Sequence, residues 1–274
     1  LGIQLSLKSK NIYFSLKIIY VIYLLIMNYL KKLSFLVFET FFLLPNLKNS
    51  DKKKEDYLII NNDSIKSLTN FLNEYLSRKQ DKIKNKISEI HSQGGYYFHI
   101  NDILDDDCKN RIIEVLSNKT LLENISSSFG YKIKFTSFVI RINFFNEKLL
   151  EEEGPKMWHR DNDSLFGQLK LFLVINKLNS VSDGQFYFIP QKTVPSYIKL
   201  YSEYNKNENF SDDDKNSRIK NIDILEKYNL DSSDIKSYGL NNEEALVLNT
   251  NDTYHKGGYL KDNQYYRILL QAIY

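Results

Sequence analysis

Two of the chain's four histidines stand in sequence contexts suited to binding a metal ion. His159 is followed two positions later by Asp161, and on a β-strand this spacing puts both side chains on the same face. His255 comes much later, in segment 252–258 (DTYHKGG), where we expect a strand to end in a turn. Two imidazoles and one carboxylate on one side of an ion leave its other side open for reactants. The sequence therefore predicts a metal site formed by His159, Asp161 and His255.

Two basic residues are predicted to lie beside this site. Arg267 belongs to the predicted final strand, and its planar guanidinium suits bidentate binding of a carboxylate. Lys170 alternates with Leu169 and Leu171. If the leucines face helices outside the sheet, Lys170 points inward and can contact an acid. We therefore expect Arg267 and Lys170 to bind an acidic cofactor.

Three further residues are candidates for lining a substrate cavity. Trp158 directly precedes the first predicted ligand, and Arg141 and Asn146 occupy the preceding strand and its end. Each also has an ordinary structural explanation, because a tryptophan commonly packs in a core and polar residues commonly occupy a solvated strand face. Both interpretations stay open at the level of sequence.

Composition excludes several classes of protein. The 274 residues are 42% hydrophobic and 26% charged, which is enough to form a sizeable core. The net charge of +3 is too small for a dedicated nucleic-acid binder. Cys108 is the single cysteine, so an internal disulfide and a cysteine-based zinc site are both excluded. We expect a small-molecule partner and a reducing, cytoplasmic location.

The pattern of apolar residues changes from helical in the first half to strand-like after Gly130. Helical spacing covers residues 64–90, and a second helical stretch begins at Asp102 and ends at Gly130. Short strands joined by turns are typical of a sandwich or jelly roll. The predicted strands are 96–100, 132–145, 169–175, 186–190, 245–248 and 265–274, with a polar insertion at 191–242 between two of them.

Residues 1–56 differ in character from the rest and are predicted to precede the catalytic domain, 57–274. The apolar run at 18–30 is shorter than the roughly 20 residues of a spanning helix. We expect either a buried segment, or a stretch that precedes a true start at Met27, or an interfacial anchor. In the last case residues 1–45 contact a membrane, and the protein is peripheral.

The order of these motifs resembles the phytanoyl-CoA dioxygenase-like branch of the Fe(II)/2-oxoglutarate-dependent oxygenases. The resemblance rests on Trp158–Asp163 (WHRDND), Gln168–Asn176 (QLKLFLVIN), Asp183–Pro190 (DGQFYFIP) and Asp252–Gly258 with Arg267, and segment 94–104 (GGYYFHINDIL) is similar to the family's opening strand.

The resemblance implies a mostly β fold with flanking helices, the double-stranded β-helix, which is a cupin-like jelly roll. It implies Fe(II), 2-oxoglutarate and O2 as cofactor and co-substrates, and hydroxylation of a substrate with release of succinate and CO2. His159, Asp161 and His255 would be the iron ligands, and Arg267 would bind the distal carboxylate of 2-oxoglutarate. No catalytic residue beyond the metal ligands is implied, and the carboxylate of Asp161 favours hydroxylation over halogenation.

The sequence departs from the family pattern at two positions. Pro190 is followed by Gln191 and Lys192 instead of the usual Gly-Ser-His, so substrate contacts from that turn do not transfer. Gly257 stands where the family often has a small hydroxyl residue near the co-substrate, which removes one expected hydrogen bond.

Two other functions use the same pattern of residues. A cupin-like zinc or nickel enzyme could use the same three ligands, but it has no need of Arg267 as a carboxylate partner. A non-catalytic binding module could retain the jelly roll, but it has no need of a complete ligand set.

Overall fold

The computed structural model describes residues 55–147, 158–161, 168–178, 184–190, 230–239, 242–258, 260 and 266–274. Within these residues, the part before β3 contains four α-helices: α1 (Asp63–Ser77), α2 (Gln80–Ser92), α3 (Asp106–Leu116) and α4 (Lys119–Phe129). Nine strands are β1 (Tyr57–Ile60), β2 (Tyr97–His99), β3 (Ser137–Phe144), β4 (Leu169–Val174), β5 (Phe186–Ile189), β6 (Lys236–Tyr238), β7 (Ala245–Asn249), β8 (Tyr254–Gly257) and β9 (Tyr266–Ile273).

The strands form two antiparallel sheets. The major sheet has the order β1-β7-β4-β9-β3-β2, and the minor sheet has the order β6-β5-β8. Strands distant in sequence are neighbours in both sheets, as in a jelly roll. The predicted fold, a mostly β double-stranded β-helix with flanking helices, is confirmed.

The two helical stretches predicted from the sequence each form two helices. The apolar period continues across Arg78 and Lys79, where the first stretch divides. The second stretch divides at Asn118, whose side chain accepts a hydrogen bond from the amide of Thr120 and so caps α4. The predicted helix start at Asp102 is wrong, because Asp105 caps α3 by accepting from the amide of Cys108. Gly130 ends α4 in the left-handed conformation, as predicted.

The major sheet packs against the helices on one face and against the minor sheet on the other. Alternate residues of β4 show this division: Leu169, Leu171 and Leu173 join the core shared with the helices. Phe172 and Val174 join the core between the sheets. Lys170 alternates with the three leucines in the same way as Phe172 and Val174, so its side chain is on the face that the minor sheet covers.

The predicted insertion at 191–242 ends in an element that the sequence did not reveal. Its residues 236–238 form β6, which pairs with β5, and the Tyr238 hydroxyl donates a hydrogen bond to the carbonyl of Phe172 at 2.9 Å. Residues 191–229 and 240–241 of the insertion lie outside the described residues, as do residues 1–54 of the predicted N-terminal segment. No helix in the described residues is long and apolar enough to cross a membrane.

Candidate metal centre

His159 and His255 are directly paired across two antiparallel segments at the edge of the minor sheet. The amide of each donates to the carbonyl of the other, at 3.0 and 2.9 Å. Residues opposed in this way have side chains on the same face, and the two imidazole centroids are 4.4 Å apart. His255 lies within β8 and not in a turn after a strand, which corrects the sequence expectation.

Asp161 is attached to the major sheet by its backbone. Its amide donates to the carbonyl of Thr250, which follows β7, at 2.9 Å. Its Oδ1 lies 3.8 Å from Nε2 of His159, and its Oδ2 lies 3.7 Å from Nε2 of His255. One ligand atom from each of the three residues falls within 4.8 Å of the others.

The surroundings of His255 direct one ring nitrogen toward the carboxylate. Nδ1 lies 3.0 Å from the carbonyl oxygen of Thr253. A carbonyl only accepts, so Nδ1 carries the proton of this hydrogen bond, and in the neutral ring Nε2 is the nitrogen whose lone pair can bind a metal. The side chain is buried, and the ring of Phe186 stacks on it at a centroid distance of 5.5 Å. This packing fixes the ring and keeps water away from it.

Lys170 contacts the candidate ligand set directly. Its ammonium donates to Oδ2 of Asp161 at 2.7 Å. Burial opposes ionisation of Asp161, but the adjacent imidazole of His255 and the charged, hydrogen-bonded ammonium of Lys170 outweigh burial and hold the pKa of the carboxyl below its ordinary value. The carboxylate is therefore ionised at neutral pH, as a metal ligand must be.

The geometry of these three residues fits a divalent metal ion. Two ligand atoms that share an ion at about 2.1 Å each can be at most about 4.2 Å apart. The distance from Oδ1 to the imidazole of His159, 3.8 Å, and that from Oδ2 to the imidazole of His255, 3.7 Å, each lie within this limit. The donor set of two nitrogens and one oxygen is the type that Fe(II) accepts with open coordination positions.

Arg267 is a buried cation on the inner face of β9. Its neighbours Ile268 and Leu270 belong to the core shared with the helices, so the arginine faces the minor sheet. Nη1 donates to the carbonyl of Gly184, while the buried Nε has no hydrogen-bond partner among the described residues. Burial, and then the charge of Arg141, lower the pKa of Arg267 to about 10, so it remains charged at neutral pH. A buried charged donor without a partner fits a site for an exogenous carboxylate.

The structure separates the other candidates. Trp158 is fully buried and packs with Ile189 and Tyr254, so it has a core position next to His159. Gly257 lies on the same face of β8 as His255, two residues away. Asn146 follows the end of β3, and its amide donates to the carbonyls of Gly95 and His91, in the turn after α2, at 2.7 and 3.4 Å.

Comparison with known proteins finds similar structures, all at low sequence identity. No protein-family model matches the chain, and a search of curated proteins finds no match. The structure is similar to the non-heme alpha ketoglutarate dependent epimerase SnoN from nogalamycin biosynthesis, with 12% identity, 80% of this chain and 78% of that chain covered, and a TM-score of 0.47.

Two other similar structures are apo HygX from Streptomyces hygroscopicus and a prolyl 4-hydroxylase from Phytophthora capsici. HygX has 11% identity and a TM-score of 0.45, with 80% of this chain and 81% of that chain covered. The prolyl 4-hydroxylase has 8% identity and a TM-score of 0.43, with 80% and 58% covered. At these values the activity of this chain has to follow from its own residues.

Sequence reasoning did not identify two residues that shape the site. Thr253 orients His255 through its backbone carbonyl, which leaves no trace in residue type. Asn143 lies two positions after Arg141 on β3 and directly opposite Arg267 on β9. The alternation of Arg141 and Asn143 within an apolar strand is a signal that could have revealed it.

Proposed function

We propose that the protein is an Fe(II)- and 2-oxoglutarate-dependent dioxygenase that hydroxylates a small-molecule substrate. The observation that supports this most directly is a set of two buried histidines and one half-buried, ionised aspartate in the same inter-sheet space as a buried arginine with an N–H that no described residue satisfies. The balanced reaction consumes the substrate, 2-oxoglutarate and O2 and produces the hydroxylated substrate, succinate and CO2.

The residues of this chain would divide the work of binding and orientation. His159, Asp161 and His255 would hold Fe(II), which supplies the activation of O2 coupled to decarboxylation of 2-oxoglutarate. Lys170 keeps the Asp161 carboxylate ionised and fixes its orientation. Arg267 would bind the distal carboxylate of 2-oxoglutarate through its fork of N–H groups. Phe172 and Phe186 form an apolar wall around His255 that excludes water.

Arg267 favours this function over a zinc hydrolase or isomerase with the same ligands. A hydrolytic zinc site needs three ligands and a water. Its chemistry does not require a buried arginine such as Arg267 in addition to the metal ion. Burying a guanidinium with one unsatisfied N–H destabilises the fold unless a ligand compensates for it. A co-substrate with a carboxylate far from its metal-binding end provides that compensation.

The test is an anaerobic titration of the purified protein with Fe(II) and 2-oxoglutarate, followed by the visible metal-to-ligand charge-transfer band. The wild type should develop the band, His255→Ala should lose it, and Arg267→Ala should need more 2-oxoglutarate to reach it. His91→Ala is the matched control, because this histidine is paired with Glu147 outside the ligand set. A folded wild-type protein that binds metal without the band would contradict the proposal and favour the zinc function.

A further inference from the structure

A second arginine faces the same inter-sheet space as Arg267. Arg141 and Asn143 alternate on β3 with Ile140 and Ile142, which belong to the core shared with the helices. Both polar side chains therefore project from the opposite face of the sheet. Asn143 is paired directly with Arg267 in the β3–β9 register, and Arg141 is one diagonal step away, opposite Leu269.

These three side chains present buried hydrogen-bond donors that no described residue satisfies. The atoms are Nε of Arg141, Nδ2 of Asn143 and Nε of Arg267. Buried donors without partners are rare in folded proteins, and three on one sheet face indicate that a ligand supplies the acceptors.

The charges at this position also require an acceptor that is negative. Burial lowers the pKa of Arg141, and the nearby acidic groups Tyr97, Tyr96 and Asp161 oppose that shift. Among carboxylates in the described part of the chain, Asp161 is the one whose charge affects the pKa of Arg141. This carboxylate already accepts a hydrogen bond from Lys170. Arg141 lies close enough to Arg267 for its charge to lower the pKa of the Arg267 guanidinium. A buried cation beside a half-buried one, with no carboxylate of the described residues between them, calls for an exogenous anion.

Arg141 is also near an exposed edge of the sheet. Tyr97 and His99 on β2 are paired with Asn143 and Arg141, and β2 is the last strand of the major sheet. The Arg141 guanidinium lies 4.9 Å from the centroid of the Tyr97 ring, which is 39% exposed. A ligand bound by Arg141 would therefore lie between the deep Arg267 position and solvent.

We propose that Arg141 and Asn143 bind a carboxylate of the substrate that the enzyme hydroxylates. This inference rests on the proposed function, in which the metal and Arg267 engage the two carboxylates of 2-oxoglutarate. Arg141 then requires a third carboxylate, and its position toward the exposed edge suits a molecule that enters after the co-substrate. The substrate class is a small organic acid or a molecule with a carboxylate on a short arm.

The first experiment distinguishes the substrate from the co-substrate as the source of the carboxylate. The affinity for 2-oxoglutarate is measured by calorimetry on Mn(II)-loaded wild type, Arg141→Gln and Arg267→Gln. Loss of a charge-assisted hydrogen bond should weaken binding about tenfold or more in Arg267→Gln, whereas Arg141→Gln should stay within about threefold of wild type. Equal weakening in both variants would assign the Arg141 carboxylate to 2-oxoglutarate and overturn the proposal.

The second experiment measures binding of paired acids and amides to protein loaded with Mn(II) and 2-oxoglutarate. The probes are monocarboxylates from propionate to 4-phenylbutyrate, each with its carboxamide, followed by thermal shift. At least one acid should bind wild type more tightly than its amide. In Arg141→Gln the ratio of acid to amide affinity should fall about tenfold, and in Arg141→Lys it should fall less. Arg111→Gln, on the exposed face of α3, is the control.

The outcomes separate this inference from the proposed function. Equal binding of acids and amides by wild type, or the same preference in Arg141→Gln, overturns the substrate assignment while the 2-oxoglutarate result stands. Wild type that does not bind 2-oxoglutarate contradicts the proposed function, and the acid and amide comparison on protein loaded with metal alone then decides whether Arg141 binds a carboxylate.

Discussion

At the scale of single residues, Lys170 has an unusual position for a lysine. It is buried between two core leucines of β4, and its ammonium is held 2.7 Å from a carboxylate that we propose as a metal ligand. Partners of this kind orient the ligand, and their loss commonly reduces metal affinity by about 10-fold to 100-fold. We predict that Lys170→Met weakens Mn(II) binding by about tenfold, as measured by calorimetry.

The control for this variant is Lys66→Met, which removes a partly exposed lysine of α1. It should leave Mn(II) affinity unchanged. Tighter binding in Lys170→Met would contradict the prediction, because it would show that repulsion between the ammonium and the ion outweighs the orientation of the carboxylate.

Cys108 illustrates how burial makes a residue unreactive. Burial, followed by the charge of Asp105, raises the pKa of its thiol to about 11. A raised pKa keeps the thiol protonated at pH 8, and the thiolate is the reactive form. We predict that the native protein resists iodoacetamide at pH 8, that the reaction accelerates as the pH approaches 11, and that denaturant exposes the thiol. Mass spectrometry gives a direct result because Cys108 is the only cysteine. Equal labelling rates in native and denatured protein would contradict this.

The site could be predicted from sequence where its residues are close together or follow strand alternation. The spacing of His159 and Asp161 is local, and the inward position of Lys170 follows from its leucine neighbours. The pairing of His159 with His255 depends on how two distant segments meet, and a motif can suggest it but cannot dictate it. Asn146 was expected on the same grounds as Arg141, but it caps a turn, because strand alternation no longer holds beyond Phe144.

At the scale of elements, the predicted strands correspond to β2, β3, β4, β5, β7 and β9, whereas β1, β6 and β8 were not predicted. The expected strands at 169–175, 186–190 and 265–274 agree with β4, β5 and β9 within one residue at each end. β6 has three residues and no apolar run, so only its pairing with β5 and the buried Tyr238 define it. The helix divisions were missed because no glycine or proline marks them, and the apolar face continues from one helix into the next.

The contact between β8 and β5 explains why a glycine follows β8. A Cβ on Gly258 would lie 2.1 Å from the backbone oxygen of Gln185, which precedes β5. We predict that Gly258→Ala forces the two strands apart, lowers the free energy of unfolding by about 1–3 kcal/mol and weakens metal binding through the displacement of His255. Urea unfolding and Mn(II) calorimetry measure the two effects.

Gly94→Ala is the control for Gly258→Ala. Gly94 has a φ of +85° and open space around its Cβ position, so this variant carries only backbone strain. It should destabilise the protein without changing metal affinity. A Gly258→Ala protein with the stability of wild type would show that the strands shift without cost.

At the scale of the whole molecule, the candidate ligands connect the two sheets of the jelly roll. His159 and His255 pair at the edge of the minor sheet, whereas Asp161 is bonded to the end of β7 in the major sheet. Arg141, Lys170 and Arg267 all project from the major sheet toward the minor one. The inter-sheet space thus combines an apolar core with a concentration of positive charge, and its stability should depend on what it binds.

The last prediction follows from this linkage between ligand and fold. A metal that binds only the native state stabilises it by about 2.7 kcal/mol at a free concentration 100 times its Kd. For a domain of this size that corresponds to a rise in Tm of about 5–10 °C. We expect Mn(II) to raise the Tm of wild type, a chelator to reverse the rise, and His255→Ala to abolish it. An equal rise in His255→Ala would mean that the ion binds elsewhere, and the ligand set would have to be reassigned.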